Sequence, residues 1–307
     1  LVFSDSFNVA VPLIDRHLDE GRADKTVIYT ADEEVTYRQL AEQVNKWGNA
    51  LAGIGLKPGE RALMVVKDCP EFFYLFWGCI KSGIIPVPLN TLLRAKDFGF
   101  IIEDSGCNSV LYSPEFADEV EAALADVAAK PEHIFKVETV AELAEPASAE
   151  LAAIEATATD ECFWLYSSGT TGEPKGVVHV HRDIIATCEL YAVRVLGETE
   201  ADTWFSVPKL FFAYGLGCGM TFPLWVGGSV VLDPRRPTPD TVTEMVRRFK
   251  PTIFAAVPTF YAAWLAHADF GKEDAATFRR CVSGGEALPT DLQTQWGKIC
   301  DAPICDG

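Results

Sequence analysis

Residues 166–176 read Tyr-Ser-Ser-Gly-Thr-Thr-Gly-Glu-Pro-Lys-Gly. Four hydroxyl residues, Ser167, Ser168, Thr170 and Thr171, surround Gly169 and Gly172, and Lys175 and Gly176 close the stretch. Glycine lets a backbone turn sharply and aim several N–H groups into one concavity. Hydroxyls, amides and one lysine in such a concavity suit phosphate oxygens, above all those of a triphosphate. The chemistry implied is positioning and charge stabilisation of a departing pyrophosphate, with little covalent work for the protein. A Walker loop would place its lysine after a glycine and run into a helix, and a dinucleotide fingerprint would read Gly-x-Gly-x-x-Gly. Neither pattern is present in this stretch. The alternative is a ligand-free surface loop. Eleven residues of this composition, with a lysine set by Pro174, weigh against it.

Other stretches offer weaker chemistry. Ser283-Gly284-Gly285-Glu286-Ala287-Leu288-Pro289 allows close backbone approach to a flat base, or is a simple turn before a helix. Lys209-Leu210-Phe211-Phe212-Ala213-Tyr214-Gly215 is an aromatic cluster ending in a small residue. Binding pockets have that character, and so do cores. Gly215 and Gly217 leave room for a flat ring rather than an alkyl chain. Lys209 is either a ligand contact or a solvated charge. His179 and His181 would share a face of a strand, but no third ligand accompanies them, so no metal site is expected.

The loop needs rigid flanks. Phe163–Tyr166 is an apolar run and Val177–His181 alternates, so the loop is expected between two strands. Upstream, Thr36-x-x-Gln39 forms a capping box, and Leu40, Val44, Trp47, Leu51 and Ile54 recur at helical spacing. Ala62–Val66, Ile84–Val87 and Ser109–Tyr112 are expected strands. Asp68 is expected to cap a helix with Pro70 in its first turn, running to Gly83. Residues 142–160, rich in Ala and Glu, are expected as an exposed helix or linker. Downstream, strands are expected at Thr252–Val257, Cys281–Ser283 and Pro303–Cys305, and helices at Thr241–Phe249, Phe260–Ala268 and Leu288–Ile299. This rhythm predicts an α/β fold of parallel sheets covered by helices. Its expected division is residues 1–160, a first α/β subdomain with linker, and 161–307, a second carrying the phosphate loop.

The chain has 307 residues, 49% of them hydrophobic, enough for a large core. A net charge of −18 argues against a nucleic-acid partner. The longest apolar run, Phe72–Ile80, is far short of the roughly 20 residues a membrane helix needs, so no membrane partner is expected. Nine cysteines without a Cys-x-x-Cys pair fit a reducing, cytoplasmic setting better than a disulfide framework.

The Tyr166–Gly176 loop resembles the signature phosphate loop of the acyl-adenylate-forming superfamily. Thr36–Leu40, Gly59–Arg61 and Gly83–Asn90 are similar to that superfamily's N-terminal region, and Lys209–Gly215 resembles the acid-pocket segment of its benzoate–CoA ligase branch. The resemblance implies two α/β subdomains of an adenylate-forming N-terminal domain. It assigns phosphate binding to Ser167, Ser168, Gly169, Thr170, Thr171, Gly172 and Lys175, and adenine binding to Gly285, Glu286, Ala287 and Asp306. It places Phe212, Ala213, Tyr214, Gly215, Thr259 and Gly284 around an aryl carboxylate substrate. ATP, Mg²⁺ and coenzyme A are the implied cofactors and co-substrates. No residue here is an expected nucleophile, general base or metal ligand, because the substrate carboxylate itself attacks. The resemblance further implies that the chain is an N-terminal fragment, inactive or weakly active by itself. A homodimer is left open. The rival readings are an adenylation domain that loads a carrier protein and a catalytically inactive acid- or nucleotide-binding module.

Overall fold

The computed structural model describes residues 1–167 and 173–307. Among the described residues the strands are β1 (Thr26–Tyr29), β2 (Glu34–Thr36), β3 (Arg61–Val65), β4 (Ile85–Pro88), β5 (Ser109–Tyr112), β6 (His133–Lys136), β7 (Glu161–Ser167), β8 (Lys175–Val180), β9 (Thr203–Ser206), β10 (Ser229–Val231), β11 (Ile253–Ala256), β12 (Arg280–Ser283) and β13 (Ile304–Asp306). The chain forms two compact units. One comprises Leu1–Asp24 and Tyr37–Ala186, the other Lys25–Thr36 and Thr187–Gly307. This division departs from the one expected at 160/161 at two places. The hairpin of β7 and β8 belongs with the first unit, where β7 lies against β4. The β1–β2 hairpin pairs into the sheet of the second unit, through β10.

In the first unit, β4, β3, β5 and β6 form a parallel sheet in that order. The apolar run Ala62–Val65 of β3 is buried throughout, as a strand covered on both faces requires. Tyr37–Gly53 is a helix whose Leu40, Val44, Trp47 and Leu51 are buried at the predicted spacing. Pro70–Lys81 is apolar and buried on every face apart from the partly exposed Glu71 in its first turn and the buried Lys81 at its end. Its N-cap is Cys69 rather than Asp68, in an extended conformation with no side-chain cap bond. Pro70 then sits at N1, where its fixed φ fits and its missing N–H costs nothing.

The Ala/Glu-rich stretch is a helix only over Val137–Ala144; residues 146–160 have no helix or strand. They are held in place all the same. Asn45 Nδ2 donates to Ala149 O at 2.8 Å, and Asn49 Nδ2 donates to Ser148 O and Glu150 O, each at 2.9 Å. The polar face of one helix thus satisfies the carbonyls of an irregular segment.

The second unit is built on a seven-stranded sheet, β13-β12-β11-β9-β10-β1-β2. Every pairing is parallel except β1 with β2 at the edge. An aromatic cluster packs its core. Trp264 lies 4.0 Å from Phe270 and 4.8 Å from Phe254 between ring centroids, and Tyr261 meets Trp296 edge-on at 5.0 Å. Asp202 is buried beneath an Arg279 pair and also accepts from Thr252 Oγ1. These partners overcome burial and hold its carboxyl below the usual range.

Candidate functional site

Strands β7 and β8, which flank residues 168–172, pair antiparallel. Ser167 pairs with Lys175, Tyr166 with Gly176 and Trp164 with Val178. The flanking strands are those expected from the apolar and alternating runs. Ser168, Gly169, Thr170, Thr171 and Gly172 lie outside the described residues. Ser167 and Lys175 are exposed at the open end of the ladder. Below them the hairpin is braced. Tyr166 Oη donates to Asp104 at 2.6 Å, and the Arg61 guanidinium stacks 5.3 Å from the Trp164 ring centroid. Gly176 is needed for packing, since a Cβ there would stand 3.0 Å from the Trp164 ring.

The two histidines part company here. β8 ends at Val180, so His181 opens the following helix instead of continuing the strand. Its Nδ1 accepts from the Val9 backbone N–H at 3.2 Å. Burial lowers its pKa to about 4, against the pull of Asp160. His179 stacks on Phe163 at 4.6 Å. Among the described residues no group of three His, Cys, Asp or Glu side chains could hold a metal.

In the second unit the remaining candidates collect at one edge. Strands β9, β11, β12 and β13 are neighbours, and all run the same way. Ser206 pairs with Ala255, Ala256 with Ser283, and Ser283 with Asp306, so the four strands end in one row. Pro208–Gly215 follows β9, Thr259 follows β11, Gly284–Ala287 follows β12, and Asp306 ends β13. The carboxyl ends of parallel strands are where open α/β sheets bind ligands, because loops there converge while the strands hold them rigid.

Within that row, Phe211 is buried but Phe212 is 48% exposed. Ala213 and Thr259 are exposed, as are Gly285, Glu286, Ala287 and Asp306. Tyr214 Oη donates to Val282 O at 2.9 Å, which ties the loop after β9 to β12. Burial pushes its pKa well up, so the hydroxyl stays neutral and the ring is what it offers a ligand. Gly215 packs so tightly that a Cβ would overlap the carbonyl oxygen of Lys209. Gly285 has φ +83°, a left-handed conformation that turns the chain after β12. Lys209 Nζ donates to Asp233 O at 2.5 Å, so it is neither a solvated charge nor simply a ligand contact.

One residue that no sequence signal singled out also stands there. Tyr191 lies in a π-helical stretch, Cys188–Val193. A Cβ on Gly307 would sit 2.5 Å from its hydroxyl.

A parallel sheet covered by helices, with the candidate residues of the second unit at its carboxyl edge, defines an α/β class of protein. The chain belongs to the AMP-binding enzyme family, which matches residues 15–307. It is 43% identical over 309 residues to a benzoate–CoA ligase of Thauera aromatica, covering 99% of this chain and 58% of that protein. Among solved structures it is similar to a benzoate CoA ligase from Burkholderia xenovorans LB400, with TM-score 0.91 and 35% identity, covering 98% of this chain and 60% of the other. It is also similar to the anthranilate CoA ligase AuaEII in complex with anthranoyl-AMP, with TM-score 0.94 and 37% identity, covering 99% and 59%. The chain therefore spans a little under three-fifths of the length of these relatives.

Proposed function

We propose that this protein activates an aromatic carboxylic acid of the benzoate type with ATP and passes the acyl group to coenzyme A. The observation that carries this reading is the row of exposed aromatic, small and backbone groups at the ends of β9, β11, β12 and β13, in a chain 43% identical to a benzoate–CoA ligase. In the first step the acid's carboxylate oxygen attacks the α-phosphorus of ATP. The bond to the β-phosphate oxygen breaks, and pyrophosphate leaves. In the second, the thiol of coenzyme A adds to the acyl carbon, loses its proton, and expels AMP.

Ser167, Ser168, Gly169, Thr170, Thr171, Gly172 and Lys175 hold the β and γ phosphates, with Lys175 supplying positive charge as pyrophosphate departs. Gly285, Glu286 and Ala287 offer backbone and edge to adenine, and the Asp306 carboxylate accepts from its amino group. Phe212, Ala213, Tyr214, Gly215, Thr259 and Gly284 form the slot for the ring. Mg²⁺ is expected to arrive with the triphosphate, and no described side chain is assigned to it. The nine free cysteines fit work in a reducing cytoplasm, and no helix among the described residues is long and apolar enough to cross a membrane.

The test is product formation by the full-length protein supplied with ATP, coenzyme A and an acid. Benzoyl or substituted-benzoyl thioester with stoichiometric AMP is the expected result. Thioester formed only from alkyl acids, or an adenylate that only a carrier protein discharges, would overturn the reading.

A further inference from the structure

Cys281 and Cys300 stand together in the core of the second unit. Cys281 lies in β12, and Cys300 lies just past the helix Thr290–Trp296. Both belong to the buried cluster that holds Trp264 and Trp296. The Cys281 thiol donates to the Cys300 sulfur, and the Trp296 indole N–H is within hydrogen-bond reach of both sulfurs. Cys300 Sγ in turn donates to Ala275 O at 3.7 Å. Cys305, on the neighbouring strand, is not a rival partner. Cys281 pairs with Ile304, which shares its core face, so strand alternation turns Cys305 to the other face of the sheet.

The pair differs from the other buried cysteines in reactivity and in reach. The hydrogen bond from Cys281 draws the Cys300 pKa down to about 7, whereas burial pushes the thiols of Cys79, Cys162, Cys188 and Cys218 up. The thiolate, not the thiol, is the form that attacks an oxidant. Cys300 is buried, but Gly297, Lys298 and Asp301 beside it are exposed. Fraying of the short helix before it would bring the sulfur to water. Between the two cysteines runs the turn at residues 284–289, with Gly285 at φ +83°. A bond between the sulfurs therefore closes a loop around Gly285, Glu286 and Ala287, the residues assigned above to adenine.

We propose that Cys281 and Cys300 form a reversible redox switch: a peroxide oxidises the pair to a disulfide, and the disulfide shifts the turn at 284–289 and slows the adenylation step. The Cys300 thiolate attacks one peroxide oxygen, the O–O bond breaks, and Cys300 is left as a sulfenic acid. With hydrogen peroxide the departing hydroxide takes up the proton that Cys300 had lost and leaves as water. The Cys281 sulfur then bonds to the Cys300 sulfur, and its proton leaves with the sulfenic hydroxyl as a second water. Two electrons pass from the sulfurs to the peroxide, and a dithiol reductant restores both thiols by exchange. Bonding draws the sulfurs from hydrogen-bond contact to about 2.05 Å, which moves the segment after β12 against the sheet. The effect on adenylation rests on the adenine role proposed above, while formation of the disulfide does not.

The experiment treats the reduced full-length protein with hydrogen peroxide, blocks the remaining thiols and maps tryptic peptides without reduction. Cleavage after Arg280 and Lys298 puts the two cysteines on separate peptides, so the bond joins residues 281–298 to the peptide that begins at Ile299. That linked pair, released by dithiothreitol, is the expected result. ATP–pyrophosphate exchange with an aryl acid is measured on the same samples. It should fall about 10- to 100-fold on oxidation, as for an ångström-scale displacement of a binding group, and recover with the dithiol. Cys300→Ser and Cys281→Ala should each exchange as reduced wild type does and keep that rate in peroxide. Absence of the linked pair, or a link to Cys305 in its place, would overturn the proposal. So would a linked pair with undiminished exchange, or a loss in peroxide that both variants share with wild type. A reduced wild type that exchanges with no aryl acid would instead sink the reading beneath it, and the peptide map would still decide whether the disulfide forms.

Discussion

The two units organise their candidate chemistry in opposite ways. The first carries it in eleven consecutive residues on the end of an antiparallel hairpin, Tyr166–Gly176. The second gathers it from four strand ends far apart in the chain, brought into one row by parallel pairing. A contiguous loop can be rebuilt residue by residue without disturbing the sheet beneath it. A site made of strand ends is inseparable from the packing of the unit that aligns them. The first arrangement suits a ligand that does not vary, the polyphosphate of a nucleotide. The second suits one that must be chosen, because shape and hydrogen bonding on several walls can each be set separately.

The largest expected effect breaks the comparison on the side of the second unit. Gly215→Ala forces a Cβ into the carbonyl of Lys209, which is backbone and cannot swing away. Overpacking of this kind should cost about 3 kcal/mol or more, read as a lower denaturant midpoint, and should disturb the acid slot with it. A variant as stable as wild type would show that the loop after β9 is not locked to the sheet.

A second effect, spread over several pH units, separates the units by pH. In the second, Glu198 is buried with its carboxylate accepting from Trp204 Nε1; burial raises its pKa to about 8. Its unfolded value is near 4.5. Between these values the folded state binds a proton that the unfolded state has lost, so stability falls as pH rises through that window, by at most about 1.4 kcal/mol per pH unit. In the first unit His181 works the other way. Folded near 4 and unfolded near 6.5, it withdraws stability as pH falls below 6.5. Thermal melts of Glu198→Gln should lose much of the decline between pH 5 and 8 while keeping the decline below pH 6.5. A variant with the wild-type slope above pH 6.5 would refute the assignment.

The same contrast explains what the sequence disclosed. The hairpin around 168–172 was readable because its signal is local: apolar and alternating flanks, glycines, one lysine. Strands β11, β12 and β13 were readable as short apolar runs, but their adjacency is a property of pairing, not of any window of residues. The β1–β2 hairpin, early in the chain, completes the sheet of the second unit, and so the division at 160/161 could not have been corrected from local pattern. Thr26–Tyr29 and Glu34–Thr36 are joined by Thr-Ala-Asp-Glu, which lacks the glycine or asparagine that marks a hairpin turn, so the local sequence does not announce the pair. Asp68 looked like a cap because its side chain is suited to one. The helix instead starts one residue later, where Pro70 fixes the first turn. Tyr191 had no signal, since a single aromatic in a helix is ordinary and the π-helical stretch that carries it shows only in the structure.

The central claim is that the hairpin of the first unit serves every acid alike while the second unit chooses among them. ATP–pyrophosphate exchange by full-length Lys175→Ala, measured across benzoate, hydroxy- and aminobenzoates, acetate and a fatty acid, tests it directly. Loss of a charge-assisted phosphate contact should slow exchange about 10- to 100-fold for each acid that wild type accepts, and leave their ranking unchanged. An unchanged rate, or a reordered ranking of acids, would contradict it.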